Sequence, residues 1–158
     1  MTSFTSLEQA LREVPIALKK LGRDVGATRE DYFGLTLDDL LFYVERLGDN
    51  ADFHFAPQFK AGDTTMSEFD IVIRAEDDVR AKLEQILGSS DDQIAGNRPN
   101  VTDLPRSNEP GILHTKSVVL ATENKGISRE AVEKNDDFLR RLRKCYARDA
   151  ECFHGKQR

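Results

Sequence analysis

The stretch 117–129 constrains the fold of this chain more than any other. Its apolar residues form a short, partly β-branched run, which is typical of a buried strand, and we predict a strand over 112–122. A carboxylate and an ammonium, Glu123 and Lys125, follow this run, before a glycine and the helix-capping residue Ser128. Open α/β sheets place ligands where a strand ends and a helix begins, so the stretch is a candidate site.

The spacing of Glu123 and Lys125 allows them to act together. Side chains two positions apart on a strand point to the same face, about 6.6 Å from each other at a rise of ~3.3 Å per residue. The alternative is that the two are unrelated, solvent-facing charges, since 32% of all residues are charged. Both interpretations stay open at this point.

Length and composition predict a single domain over 1–158. The chain is long enough to bury one sizeable core, and 39% of its residues are hydrophobic. No apolar run approaches the ~20 residues of a membrane helix. The N-terminal residues also lack the basic and apolar regions of a signal peptide. We therefore expect a cytoplasmic protein without membrane association.

Residues 1–48 are predicted to be helical. After Ser6, a possible cap, apolar residues recur at alternating spacings of four and three, which indicates one amphipathic stripe. Pro15 interrupts this pattern, so it predicts either one kinked helix or two short ones. A second helix is expected to begin after Thr36 and to end at Gly48.

Two strand-like runs, 52–60 and 68–74, predict a β-hairpin in the middle of the chain. The second run contains Asp70, an acid among strong β-formers. A helix ending at Gly88 should follow. The segment 89–111 is rich in Ser, Asp, Asn, Pro and Gly, and we predict a mobile surface loop there.

A long helix is predicted from 129 to about 150. The fold class is therefore α/β or α+β, with a small mixed sheet, N-terminal helices and a long C-terminal helix. This helix carries a basic run, Arg140, Arg141, Arg143 and Lys144, which can bind the phosphates of a nucleic acid. The alternative is a solvated helix whose cations suit its C-terminal half.

The order of these segments resembles a known family. The runs 67–73 and 118–125, with a helix directly after the second, resemble the core of the PD-(D/E)xK superfamily, the restriction-endonuclease-like nucleases. The resemblance covers about 52–150. It implies a restriction-endonuclease-like core and a nuclease that hydrolyses phosphodiester bonds of nucleic acid, with DNA as the expected partner.

The resemblance also implies roles for three residues. Asp70 and Glu123 would bind Mg²⁺, or Mn²⁺ in its place, and Lys125 would be the third catalytic residue. Carboxylate oxygens are the ligands that Mg²⁺ prefers, and a lysine beside the metal adds charge for the developing phosphorane oxygens. The pKa of such a lysine can be lowered by the neighbouring metal.

Charge distribution supports a rival function of another class. The net charge is −5, but residues 1–111 carry 12 basic and 21 acidic side chains, whereas residues 112–158 carry 11 and 7. An acidic N-terminal region suits a non-enzymatic binding protein, of the immunity or antitoxin type, that neutralises a basic protein partner. The sequence leaves open the oligomeric state and the choice between DNA and RNA.

Overall fold

The computed structural model describes residues 6–59 and 104–154, with side chains described as far as Glu151. All of these residues belong to one compact unit, built from Met1–Asp63 and Leu104–Arg158. None of the described helices is both long and apolar enough to cross a membrane.

Several predictions lie outside the described residues. These are the strand 68–74 with Asp70, the helix ending at Gly88, and the greater part of the predicted loop 89–111. They stay predictions, as does the single domain over 1–158.

The described part is mostly helical, with one small parallel sheet. Its helices are α1 (Leu7–Lys20), α2 (Leu37–Leu47), α3 (Ser117–Thr122), α4 (Arg129–Glu133), α5 (Asp136–Cys145) and α6 (Ala147–His154). Strands β1 (Arg106–Ser107) and β2 (Gly126–Ile127) pair in parallel. Short 3₁₀ turns cover Tyr32–Gly34, Gly48–Asn50 and Ile112–His114. This mixture is compatible with the predicted α+β class, and it contains no larger sheet among the described residues.

Local signals in the N-terminal region specify α1 and α2 as predicted. Ser6 caps α1, and Pro15 lies inside this one continuous helix. The apolar stripe offsets the backbone hydrogen bond that proline removes, because Val14 and Leu18 beside it are almost completely buried. A capping box formed by Thr36 and the third residue of the helix begins α2.

The predicted strand 112–122 is wrong. The segment forms the 3₁₀ turn Ile112–His114 and then α3. Its β-branched run is not buried, because Val118 and Val119 are 43% and 39% exposed. Ser117 instead ties the start of α3 to the segment before α2, since its hydroxyl oxygen lies 2.9 Å from two backbone carbonyl oxygens there, which share its one proton.

The predicted strand 52–60 is also wrong over its described residues. Asp52 organises a turn: its carboxylate accepts the backbone N–H of His54, and its carbonyl accepts those of Phe55 and Ala56. Aspartate favours such turns because its side chain imitates a backbone acceptor.

The predicted long helix from 129 to 150 is divided into α4, α5 and α6. Ser128 caps α4, as predicted, and Asn135 caps α5 by accepting the backbone N–H of Phe138. Asparagine competes with the helix for backbone groups, which explains the first break. The second break, at Tyr146, lets the phenol donate to the carbonyl of Phe55.

Helix α2 lies between two hydrophobic clusters. One cluster packs α1, α2 and the segment after α2 around residues Val14, Leu18, Leu35, Tyr43, Val44, Ala51 and Ala56. The other packs α2, the 3₁₀ turn before α3, α4 and α5 around Leu41, Ile112, Leu113, Ala131 and Phe138. Burial on two sides makes α2 the central element of the described part.

An ion-pair network joins α2 to both neighbouring segments. Asp38 binds Arg23 at 2.7 Å through one carboxylate oxygen and Arg141 at 2.5 Å through the other. Arg141 also donates two hydrogen bonds to Glu45, and Arg23 binds Asp39 at 2.7 Å. Burial disfavours the charged form of Asp38, but hydrogen bonds from Arg23 and Arg141 hold its pKa below the ordinary value.

We predict that Arg141→Gln destabilises the protein far more than Arg140→Gln. The first change removes the cation that Asp38 and Glu45 share, and we expect a loss of about 2 kcal/mol in the free energy of unfolding. This is less than for a fully buried pair, because Arg23 still neutralises Asp38. The side chain of Arg140 is 75% exposed, so its loss should cost no more than about 0.5 kcal/mol.

Urea unfolding followed by far-UV circular dichroism measures both free energies. The two arginines are adjacent on α5 and both changes remove one positive charge, so Arg140→Gln controls for net charge. Equal destabilisation by the two variants would show that the network contributes nothing specific.

A second prediction concerns pH. Because the pKa of Asp38 is lower in the folded state, its contribution to stability is present above the unfolded pKa of about 3.9 and is lost as pH falls through the folded value. The stability difference between wild type and Asp38→Asn should therefore be largest near neutral pH and shrink below about pH 4. Urea midpoints at pH 7, 5 and 3 test this, and a constant difference would contradict it.

Candidate functional site

The structure brings two of the predicted catalytic residues together. Glu123 directly follows α3, and Lys125 directly precedes β2. The ammonium of Lys125 lies 3.1 Å from a carboxylate oxygen of Glu123. It also donates to Glu109 at 3.2 Å. Asp70, the third predicted residue, lies outside the described residues.

A tight turn positions these charges. Asn124 adopts a positive φ of 52°, and asparagine is one of the few residues that tolerate this region. The turn is fixed by the backbone N–H of Lys125, which donates to the carbonyl of Leu120 at 2.8 Å. Gly126 then donates to the carbonyl of Pro105, which starts the pairing of β1 with β2.

Sequence reasoning missed Glu109. It lies 16 positions before Lys125, just after the two-residue strand β1. The parallel pairing of β1 with β2 brings the two segments together. So short a strand leaves no periodicity in the sequence, and Glu109 falls within the predicted loop 89–111.

The two carboxylates keep Lys125 charged. Hydrogen bonds to Glu123 and then to Glu109 raise the pKa of Lys125 above its ordinary value. Lys125 is therefore positively charged in this arrangement, with a carboxylate oxygen on either side of its ammonium.

Glu109, Glu123 and Lys125 supply only part of what a divalent-cation site requires. Glu109 and Glu123 offer carboxylate oxygens, the donor type that Mg²⁺ prefers, and both reach the same ammonium. Among the described residues, however, no group of three or more His, Cys, Asp or Glu side chains could hold a metal ion. The predicted Asp70–Glu123 ligand pair thus stays a prediction.

The predicted nucleic-acid-binding residues fall into two groups. Arg141 faces the ion-pair network, with its side chain only 21% exposed, and the hydrogen bonds that it donates to Glu45 and Asp38 raise its pKa. Arg140, Arg143 and Lys144 are exposed. Arg140 binds Asp137, whereas Arg143 and Lys144 form no ion pair within the described part.

Arg148 lies on the next helix, α6, and is half-buried. It likewise forms no ion pair with any described residue. We call Arg140, Arg143, Lys144 and Arg148 the cationic ridge. Arg143, Lys144 and Arg148 form no ion pair with a described residue, so they can bind the anions of another molecule without first breaking such a pair.

A second surface feature has no counterpart among the predictions. An apolar groove of about 250 Å³ lies among α1, the turn Tyr32–Gly34, α2 and α3. Its lining consists of Leu11, Tyr32, Phe33, Leu35, Thr36, Leu37, Leu40, Thr115, Ser117, Leu120 and Ile127. Phe33, one of the lining residues, is 48% exposed. The feature of the sequence that could have indicated this groove is the aromatic pair Tyr32–Phe33, which lies in an otherwise polar link between α1 and α2.

Comparison with known proteins gives no family for this arrangement. No family model, curated protein or solved structure matches the chain.

Proposed function

We propose that this protein binds nucleic acid along the cationic ridge and hydrolyses its phosphodiester bonds near Glu123 and Lys125. The observation that carries the proposal is a set of cations on consecutive helices α5 and α6, Arg143, Lys144 and Arg148, that form no ion pair with any described residue. Lys and Arg side chains that neutralise phosphates supply most of the sequence-independent affinity for nucleic acid.

Lys125 and Glu123 support the choice of chemistry. A protonated lysine can stabilise the negative charge that develops on the phosphate in the transition state. To do so, Lys125 must exchange its contact with Glu109 for a phosphate oxygen. Asp70 and Glu123 would hold Mg²⁺ or Mn²⁺, which supplies further Lewis-acid charge beside the phosphate.

A non-enzymatic binding protein is the second candidate function. Most acids of 6–59 are already paired within the chain, so the acidic excess there does not by itself recruit a basic partner. The observation in its favour is local: Glu30 and Asp31 form no ion pair within the described part and directly precede the aromatic pair of the apolar groove.

The cationic ridge is tested by a double change, Arg143→Gln with Lys144→Gln. We expect weaker binding to double-stranded DNA, and a slope of log affinity against log salt that becomes shallower by about 2, or about one per lost phosphate contact. Lys19→Gln with Lys20→Gln is the matched control, because both lysines are exposed, lie on α1 and carry the same total charge.

Fluorescence anisotropy of a labelled duplex at several salt concentrations measures these slopes. The control should keep the wild-type slope. Equal slopes for both double variants would mean that net charge, and not the ridge, governs binding.

Hydrolysis is tested with plasmid, single-stranded DNA and RNA in Mg²⁺, Mn²⁺ or EDTA. We expect cleavage that EDTA abolishes, and Lys125→Ala should lower its rate by about 10²-fold at unchanged metal dependence. Asp70→Asn should instead raise the metal concentration that half-maximal cleavage requires. Wild-type protein that leaves all three substrates intact with either metal would overturn the enzymatic proposal and leave the binding function.

A further inference from the structure

Another pocket, of about 420 Å³, lies between the segment after β1 and the start of α5. One side is the continuous stretch 108–113, and the other consists of Ala131 and residues 134–136. This volume falls within the ~300–1,000 Å³ of ordinary small-molecule sites. We call this cavity the α5 pocket.

Part of the lining of the α5 pocket is apolar and held in place by the core. Ile112, Leu113 and Ala131 are buried members of the hydrophobic cluster that packs α2, α4 and α5 together. Pro110 adds exposed apolar surface beside them. The pocket therefore offers a rigid apolar surface to the body of a ligand.

The unpaired charge in this lining is negative. The ammonium of Lys134 lies 2.5 Å from a carboxylate oxygen of Glu130, and Glu109 is paired with Lys125. The carboxylate of Asp136 forms no hydrogen bond or ion pair with any described residue. An ionised carboxylate only accepts hydrogen bonds, and it repels anions. The pocket therefore selects a ligand group that donates hydrogen bonds, and it disfavours a phosphate.

Two asparagine amides add further hydrogen-bonding groups. The carbonyl oxygen of Asn135 accepts the backbone N–H of Phe138 at 3.0 Å, which leaves its amide nitrogen without a partner in the described part. The amide nitrogen of Asn108 donates to Glu130 at 3.0 Å, which leaves its carbonyl oxygen without one. Donors and acceptors next to an apolar surface suit a flat heterocycle that carries both kinds of group on its edge.

Glu109 connects the α5 pocket with Lys125. It lines the pocket, and its carboxylate lies 3.2 Å from the ammonium of Lys125. In the proposed hydrolysis this ammonium contacts a phosphate of the strand. The pocket is thus about one side chain away from that phosphate, and the base of the attached nucleotide is the heterocycle nearest to it.

We propose that the α5 pocket binds one unstacked base of single-stranded nucleic acid, with guanine preferred, next to the phosphate that Lys125 contacts. The inference rests on the proposed function and names its substrate class. The Watson–Crick edge of guanine presents two adjacent N–H donors, which match the two oxygens of the Asp136 carboxylate. Thymine places two carbonyls beside its one N–H donor, and the carboxylate repels them. A base within a duplex reaches the pocket only after it is unstacked and flipped, which costs free energy.

The experiment uses short labelled DNA strands that differ at one position, with a single guanine among thymines or thymine throughout. Fluorescence anisotropy in EDTA measures both affinities without cleavage. We expect the strand with guanine to bind about tenfold more tightly, which is the order of discrimination that one bidentate contact provides. A duplex that contains the same guanine should bind no more tightly than one without it.

Asp136→Asn should abolish the preference for guanine, because one acceptor oxygen is replaced by a donor. Asp137→Asn is the matched control: Asp137 is adjacent, exposed and also in the first turn of α5, but it does not line the pocket. Both changes remove one negative charge, so their effects on general affinity for DNA should be equal. Only Asp136→Asn should change the ratio of the two affinities, and circular dichroism checks that both variants fold.

Three outcomes would overturn the proposal. The wild-type protein binds both strands equally, the two variants change the ratio equally, or guanosine monophosphate competes at the same concentration as the strand. The last outcome would assign the pocket to a free nucleotide. Cleavage without any preference for guanine would reject this inference and keep the hydrolysis, whereas a preference without cleavage would reject the hydrolysis and keep the pocket.

Discussion

The ion pair between Asp38 and Arg141 is the interaction on which the described fold depends most. It connects the first turn of α2 with the middle of α5, across 103 positions of sequence. Arg23 reaches the same carboxylate from the segment after α1. Three segments thus meet at one acid, and each charge has a partner, as partial burial requires.

This network limits which cations can serve function. Arg141 lies within the basic run, but its guanidinium is already occupied by Asp38 and Glu45. A cation held in this way contributes to folding, and the same hydrogen bonds make it a poor ligand for an external phosphate. The basic run therefore combines a structural arginine with exposed neighbours, of which Arg143 and Lys144 form no ion pair with a described residue.

The described unit presents three chemically different surfaces. The cationic ridge offers positive charge, the group around Lys125 offers two carboxylates and an ammonium, and the apolar groove offers mainly hydrocarbon. These surfaces attract ligands by different forces. Salt screens the charges of the cationic ridge and of the group around Lys125, whereas apolar contacts in the groove carry no charge to screen.

The sequence by itself determined α1 and α2. Their caps at Ser6 and Thr36 and their apolar periodicity act over three or four positions, so no distant residue is needed to specify them. The sequence also predicted that Glu123 and Lys125 act together, and a carboxylate oxygen of Glu123 does lie 3.1 Å from the ammonium of Lys125. Their proximity arises from a turn, however, and not from the predicted strand.

Only the tertiary structure decided the rest of the described part. A short β-branched run is compatible with a strand or a helix, and the choice for α3 follows from Ser117, whose hydroxyl binds carbonyls more than 80 positions away. The partners Glu109 for Lys125 and Asp38 for Arg141 were likewise set by packing between distant segments. Local patterns specify hydrogen bonds within a turn of helix, but they carry no information on which distant segment will lie opposite a given side chain.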